Sequence, residues 1–220
     1  MKKPIILFGK GSFAQIAKDY FNDDSIYEIV AFTIDDEYIE SEEYENLPLV
    51  PFSKVQEIYS PEKFAMHIAL VYTDMNKLRE SKFKEAKNKG YSLVSFVSPN
   101  CNYKSKIPVG ENCFIFEDNT IQPYVKIEDN TILWSGNHIG HHSVIKSHNF
   151  ISSHVVISGH CTINSNCFIG VNSTISHKIN IGKETLIGAG SVISKDTEPK
   201  SVYIPPKSIK INKTSDKIKM

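Results

Sequence analysis

The stretch that decides the fold runs from Asn137 to Gly170: NHIGHHSVIKSHNFISSHVVISGHCTINSNCFIG. Reading it in sixes places Ile139, Ile145, Ile151, Ile157, Ile163 and Ile169 at one phase. The phase continues outward, with Val109, Ile115, Ile121, Ile127 and Leu133 before it and Ile175, Ile181, Ile187 and Ile193 after it. All fifteen positions from 109 to 193 are therefore aliphatic, with no insertion. A helix repeats near 3.6 residues and a strand near 2, so a period of six is neither alone. Six residues make a short strand and a corner. Three such units close a triangular coil of 18 residues, and residues 109–198 make five coils.

The period also assigns faces. The aliphatic of each unit points into the prism and stacks on its equivalent one coil away. The residue two before it is often small or β-branched: Cys113, Val125, Thr131, Ser143, Val155, Cys161, Cys167, Ser173, Thr185 and Ser191. That suits a second inward position where space is tight. Gly, Asn, Asp and His crowd the corners, where left-handed backbone is cheapest for Gly and Asn. Hydrogen bonds between coils and the aliphatic stacks are expected to supply the stability.

The first hundred residues read differently. Ile5–Phe8 predicts a buried strand, Gly9-Lys10-Gly11-Ser12-Phe13-Ala14 a glycine-rich turn, and Gln15–Phe21 a helix. A second strand is expected at Ile29–Ile34, ending at Asp35-Asp36. Further strands are expected at His67–Tyr72 and Leu93–Val97, with a charged helix over Asn76–Gly90 between them. The pattern looks like the start of a dinucleotide- or nucleotide-binding βαβ unit, with phosphate expected at a helix N-terminus. The acidic run over 35–45 reads as a solvated loop. The boundary falls at Ser98-Pro99-Asn100, giving an α/β, Rossmann-like domain over 1–98 and a parallel β-helix with a C-terminal tail over 99–220.

Composition narrows the partners. The chain has 25 basic and 25 acidic residues and no net charge, and Arg79 is its one arginine. Neither nucleic acid nor an anionic membrane is expected to bind. The short apolar run after Met1-Lys2-Lys3-Pro4 is not read as a secretory signal. Cys101, Cys113, Cys161 and Cys167 form no CxxC pair, and three of them share the small inward phase. A reduced, cytoplasmic protein is expected.

Three motifs carry a family resemblance: Gly136-Asn137-His138-Ile139-Gly140-His141-His142-Ser143, Asn166-Cys167-Phe168-Ile169-Gly170-Val171-Asn172 and Leu186-Ile187-Gly188-Ala189-Gly190-Ser191. Joined to GKGSFA and the FTIDD strand end, they make the chain resemble the hexapeptide-repeat sialic acid O-acetyltransferases and bacillosamine-pathway N-acetyltransferases. The resemblance implies a left-handed β-helix, contrary to the usual crossover rule. It also implies a homotrimer with active sites between prisms, and acetyl-CoA as co-substrate. The N-terminal domain would bind a nucleotide-linked amino sugar, as in surface-polysaccharide biosynthesis. Gly9, Gly11 and Ser12 would approach the diphosphate, Asp35 and Asp36 the nucleobase, and Thr73 would lie on a loop of that site. Gly159, Gly188, Ala189 and Lys207 would serve the CoA side. His142 stands where such enzymes carry a carboxylate, and Ile204-Pro205-Pro206-Lys207 replaces their Gly-x-Pro turn. Sugar O-acetyltransfer and a non-catalytic nucleotide-sugar-binding scaffold are the alternatives.

Six of the eight histidines lie between 138 and 160. A coil of 18 stacks His142 on His160 and sets His154 above Gly136. Plain corner roles are expected for His148, His160 and His177. His141, after Gly140 at a corner, is the candidate general base, with His142 its candidate partner and a backbone N–H near Gly159 the candidate oxyanion donor. No metal site is expected, because no carboxylate or cysteine falls at a ligand phase beside the histidines. Residues 199–220 carry Lys200, Lys207, Lys210, Lys213, Lys217 and Lys219, which could hold CoA phosphates, with a frayed basic tail the alternative from Lys213 onward.

Overall fold

The computed structural model describes residues 2–210, 212, 214 and 215; Lys213, Lys217 and Lys219 of the basic tail lie outside the described residues. The N-terminal unit is built from β1 (Lys3–Phe8), α1 (Ser12–Asp24), β2 (Tyr27–Ile34), β3 (Glu43–Tyr44), β4 (Leu47–Pro51), α2 (Val55–Ile58), β5 (Ala65–Ile68) and α3 (Lys77–Asn88). Its sheet runs β3-β4-β2-β1-β5, parallel except for the β3–β4 hairpin. Alternation along β1 makes two cores. Ile5 and Leu7 join α1 through Phe13, Ala17 and Phe21, while Ile6 and Phe8 join α2 and α3 through Val55 and Ala86.

Several expectations shift. The strand expected at His67–Tyr72 is β5, which runs Ala65–Ile68. Part of the acidic run is ordered as a 3-10 turn at Asp36–Tyr38 and as β3. The strand expected at Leu93–Val97 is divided. Leu93 makes a single parallel bridge to Met66, while β6 (Phe96–Val97) pairs with Phe114–Ile115 and opens the β-helix.

From β6 up to Val192–Ile193, two-residue strands pair in parallel with strands 18 residues later, and the last pairing, Leu186–Ile187 with Val202–Tyr203, spans 16. Three sheets result. The first face has seven strands, beginning at β6 and passing through Ile132–Leu133 and Phe168–Ile169 to Val202–Tyr203. The second has six, from Asn102–Tyr103 to Val192–Ile193, and the third has four, from Lys126–Ile127 to Asn180–Ile181. All the aliphatics of the series are buried in one stack except Val109, which packs at its rim. At roughly 1.5–3 kcal/mol for each fully buried side chain, this stack is the main source of the prism's stability. The small residues of the second inward phase are buried with it. Asn119, Asn137 and Asn149 share their phase and satisfy themselves against backbone. Asn137 Oδ1 accepts from Val155 N–H at 2.7 Å, and Asn149 Oδ1 from Cys167 N–H at 2.7 Å. All four cysteines are free, and burial pushes the Cys113 thiol up to about 12.

The corners obey the same clock. Every sixth residue from Asn112 to Gly190 has positive φ. The series includes Tyr124, Lys178 and Glu184, whose side chains do not favour this region. Position in the coil, rather than residue preference, sets the backbone there.

The outward residues of the first face are large and apolar: Phe114, Ile132, Phe150 and Phe168. Phe114, Ile132 and Phe150 are buried in the same core as α1, joined by Phe96 and Phe116. The N-terminal unit therefore sits on the first face and on the edge between the third and first faces. At that edge Arg79 of α3 donates through Nη2 to the carbonyls of Asn130 and Asn149.

Candidate functional site

The second and third faces meet at an edge opposite the first face. Tyr124, His142, His160 and Lys178 follow one another up this edge in left-handed backbone. The His142 and His160 rings are stacked, with centroids 4.8 Å apart and planes 10° apart, and Tyr124 lies 4.6 Å below His142. Inter-coil bonds fix the rungs; His160 N–H, for example, donates to His141 O at 2.9 Å.

His141 is exposed beside this column. Its backbone N–H donates to Gln122 Oε1 at 2.8 Å, and its Nδ1 lies 3.0 Å from His142 Nδ1. One of the two nitrogens must carry the proton in that bond. A Cβ placed on Gly159 would sit 2.9 Å from both Cε1 and Nε2 of His141, so the ring edge lies directly over the Gly159 backbone. A Cβ on Gly140 would lie 2.5 Å from Gly159 N, so both glycines are needed for this close approach. Among the described residues, no protein group accepts the Gly159 N–H. Burial and the charges of His142, His141, His177 and Lys178 hold His160 below the ordinary histidine range.

The glycine-rich turn lies on the N-terminal unit. Gly9 has φ +132°, and a Cβ there would meet Ala69 O at 2.8 Å, so glycine is required. Gly11 caps α1 in extended backbone, and a Cβ on it would meet nothing within 4 Å. Gly9 and Asp35 line an apolar pocket of about 160 Å³ with Phe8, Leu70 and Tyr38. Gly11, Ser12 and Thr73 line a neighbouring groove of about 400 Å³ with Tyr72 and Trp134, and Leu70 borders both. Asp35 is paired with Lys82 at 2.6 Å. Asp36 is turned away from the pocket, with its two oxygens accepting from the Ser53 N–H and hydroxyl, which holds its carboxyl below the ordinary range.

Gly188 donates to Tyr203 O at 2.7 Å, and exposed Ala189 follows it. A Cβ on Gly170 would lie 2.5 Å from Ala189 N, so these coils also touch through backbone. Beside them is a groove of about 340 Å³ lined by Gly190, Ser191, Tyr203 and Pro205. Lys207 is exposed beyond Pro206 and does not line that groove. The structure thus brings His141, His142 and Gly159 together, and separately Gly9, Gly11, Ser12, Asp35 and Thr73. The two groups stand on opposite sides of one prism. Sequence reasoning missed Gln122 and Trp134. The 18-residue arithmetic could have placed Gln122 beneath Gly140, and Trp134 is the chain's one tryptophan.

The family model described as bacterial transferase hexapeptide (six repeats) matches residues 160–195. Solved structures extend the likeness over both units. The acetyltransferase domain of PglB from Neisseria gonorrhoeae FA1090, in complex with acetyl coenzyme A, is 19% identical with a TM-score of 0.81, covering 92% of this chain and 96% of that one. PerB from Caulobacter crescentus, in complex with CoA and GDP-perosamine, is 18% identical with a TM-score of 0.79, covering 90% and 92%. WeeI from Acinetobacter baumannii AYE is 18% identical with a TM-score of 0.76, covering 91% and 96%. These similarities establish the fold. No curated protein matches the sequence.

Proposed function

We propose that the protein transfers an acetyl group from acetyl-CoA to the amino group of a nucleotide-linked amino sugar, with His141 as general base. The observation that carries this reading is the His141 corner, where an exposed imidazole lies against the Gly159 backbone on a hexapeptide β-helix. The structures of similar fold support it, because PglB is an acetyltransferase domain seen with acetyl coenzyme A and PerB is seen with CoA and GDP-perosamine. The prism is read as left-handed and the N-terminal unit as a Rossmann-like nucleotide-sugar domain.

The chemistry follows from the tautomers. For His141 Nε2 to accept a proton, Nδ1 must carry one and donate it to His142 Nδ1. His142 then acts as a neutral positioning partner where a carboxylate would otherwise stand. The sugar amine attacks the thioester carbon while His141 Nε2 takes the proton that the nitrogen loses. The Gly159 N–H would stabilise the tetrahedral oxyanion. Collapse breaks the C–S bond, and the proton on His141 goes to the CoA sulfur. Gly188 and Ala189 would line the CoA path, and Lys207 would meet its phosphates.

The glycine-rich turn would hold the diphosphate and the Asp35 pocket the base. His141 faces away from this groove within one chain, so a neighbouring prism must complete the site. That requirement supports a homotrimer with active sites between prisms. The test is an assay of CoA thiol release with acetyl-CoA and UDP-, GDP- or dTDP-linked amino sugars, each set against its hydroxyl counterpart. Turnover of an amino sugar supports the reading, whereas turnover only of hydroxyl sugars, or of none, overturns it. Gly11→Val should weaken stabilisation by the nucleotide sugar but leave stabilisation by acetyl-CoA intact, because the added side chain meets only ligand space.

A further inference from the structure

The open edge gathers imidazoles beyond the two that catalysis uses. One ligand nitrogen from each of His141, His142 and His160 lies within 4.8 Å of the other two. A fourth ring, His177, has its centroid 5.5 Å from His160 and 6.5 Å from His141. The sequence expectation of no metal site rested on finding no carboxylate or thiolate beside these histidines, but three imidazoles need neither.

We propose that this edge binds one divalent transition-metal ion, such as Zn²⁺ or Ni²⁺, through His141, His142 and His160, and that the bound ion blocks His141 as a base. Zinc takes imidazole nitrogen at about 2.0–2.1 Å, which sets tetrahedral ligands roughly 3.4 Å apart. The His141–His142 pair already stands at 3.0 Å. All three side chains are exposed, so rotations of about an ångström close the set. The backbone that carries them is held in place by the His160 N–H bond to His141 O, and the His142 and His160 rings turn out of their stack to aim their nitrogens at the ion. An all-imidazole set selects borderline ions over Mg²⁺ and Ca²⁺, which favour oxygen. Water or His177 would fill the remaining position. Lys178, above His160, opposes the ion's charge, so the site should be weaker than a closed structural zinc site.

Metal binding stands on this geometry alone, whereas the block on catalysis rests on the acetyltransfer reading. The experiment therefore has two arms on the untagged full chain. In the first, ZnCl₂ and NiCl₂ are titrated by calorimetry, with MgCl₂ as the control ion. One Zn²⁺ per chain should bind, and Mg²⁺ should not. His160→Asn should weaken Zn²⁺ binding by about tenfold or more, since losing even an outer partner of a ligand costs roughly 10–100-fold. Asparagine is chosen because His160 has φ +58° and Asn112, Asn130, Asn166 and Asn172 hold equivalent corners. His154→Asn, at a corner on another edge, is the control and should bind Zn²⁺ like the wild type. In the second arm, Zn²⁺ should inhibit acetyl transfer, chelator should restore it, and His160→Asn should raise the inhibitory concentration by the same factor as in the first arm. Absence of Zn²⁺ binding, or equal binding by wild type and His160→Asn, overturns the site whatever the enzyme does. Binding without inhibition in an active enzyme overturns the block on His141.

Discussion

Two edges of the same prism use the same backbone for opposite ends. The open edge carries Tyr124, His142, His160 and Lys178, and the covered edge carries Asn112, Asn130, His148, Asn166 and Glu184, all in left-handed conformation. On the covered edge the polar groups form a directed ladder. Ile68 N–H donates to Asn112 Oδ1, Asn112 Nδ2 donates to Asn130 Oδ1, and Asn130 Nδ2 donates to His148 Nδ1. Glu80 closes the far end, 3.8 Å from His148 Nε2 and accepting from Asn166 Nδ2 at 2.8 Å. His148 is thereby fixed as the Nε2–H tautomer and packed on Phe83. On the open edge, among the described residues, the imidazoles hydrogen-bond only with each other. The backbone offers both edges the same histidine sites, and what covers them decides between a structural rung and a reactive one.

The largest test of that contrast is His141→Asn on the open edge. Asparagine is polar but cannot take the proton, so kcat should fall by about 10²–10⁴-fold while the melting temperature and acetyl-CoA binding hold. Loss of folding instead would make this edge as structural as the covered one. Gly159→Ala comes next. Its Cβ would intrude on the His141 ring at 2.9 Å and push it aside. A displacement of about an ångström costs on the order of 10²-fold in turnover, measurable as a fall in kcat with an unchanged unfolding midpoint.

The covered side should answer through stability rather than rate. His67, just behind the ladder, is buried between Phe21 and Phe114, and its Nδ1–H donates to Val94 O at 2.9 Å. Burial lowers its pKa to about 4 from an ordinary 6.5. Between those values the unfolded chain binds a proton that the folded chain refuses. Stability is therefore whole above about pH 6.5 and declines as the pH falls, by about 3 kcal/mol at the acid end. His148, also lowered chiefly by burial, adds to the same decline. Urea unfolding at about pH 7 and about pH 5 should show it, and His67→Phe should flatten it. An unchanged slope in His67→Phe would assign the acid sensitivity elsewhere. The smallest effect is expected for Tyr124→Asn, which keeps the corner but removes the ring beneath His142. An aromatic contact of this kind is worth about 0.5–1.5 kcal/mol, and at an exposed site the melting temperature should move little.

Much of this was legible before any coordinates. The aliphatic series fixed the prism, and its 18-residue coil placed His142 on His160 and His154 over Gly136. The N-terminal unit was legible in outline, with α1 running from Ser12 to Asp24 where only Gln15–Phe21 was expected. What stayed hidden depended on contacts between distant segments. Phe96–Val97 reads as a strand of the first unit but pairs with Phe114–Ile115, because the first face needed a starting strand. Arg79 falls in the charged helix expected over Asn76–Gly90, and nothing in that reading buries it. It is 1% exposed, Nε and Nη1 have no partner among the described residues, and burial lowers its pKa to about 9, which leaves it cationic at neutral pH. Asp36 was paired with Asp35 by adjacency, and only the fold reveals that Ser53 claims its carboxylate.

The uninterrupted clock of the prism also governs how such a chain can change length. Excising eighteen residues, such as 163–180, returns every later side chain to its own face and shortens the column by one rung. Excising six carries each later face one side around the triangle. His177 would leave the open edge, and the later apolar outer residues that seat the N-terminal unit would turn away from it. Duplication or loss within this protein is therefore quantised. Whole turns are neutral moves in the space of sequences, and thirds of a turn exchange one surface of the molecule for another.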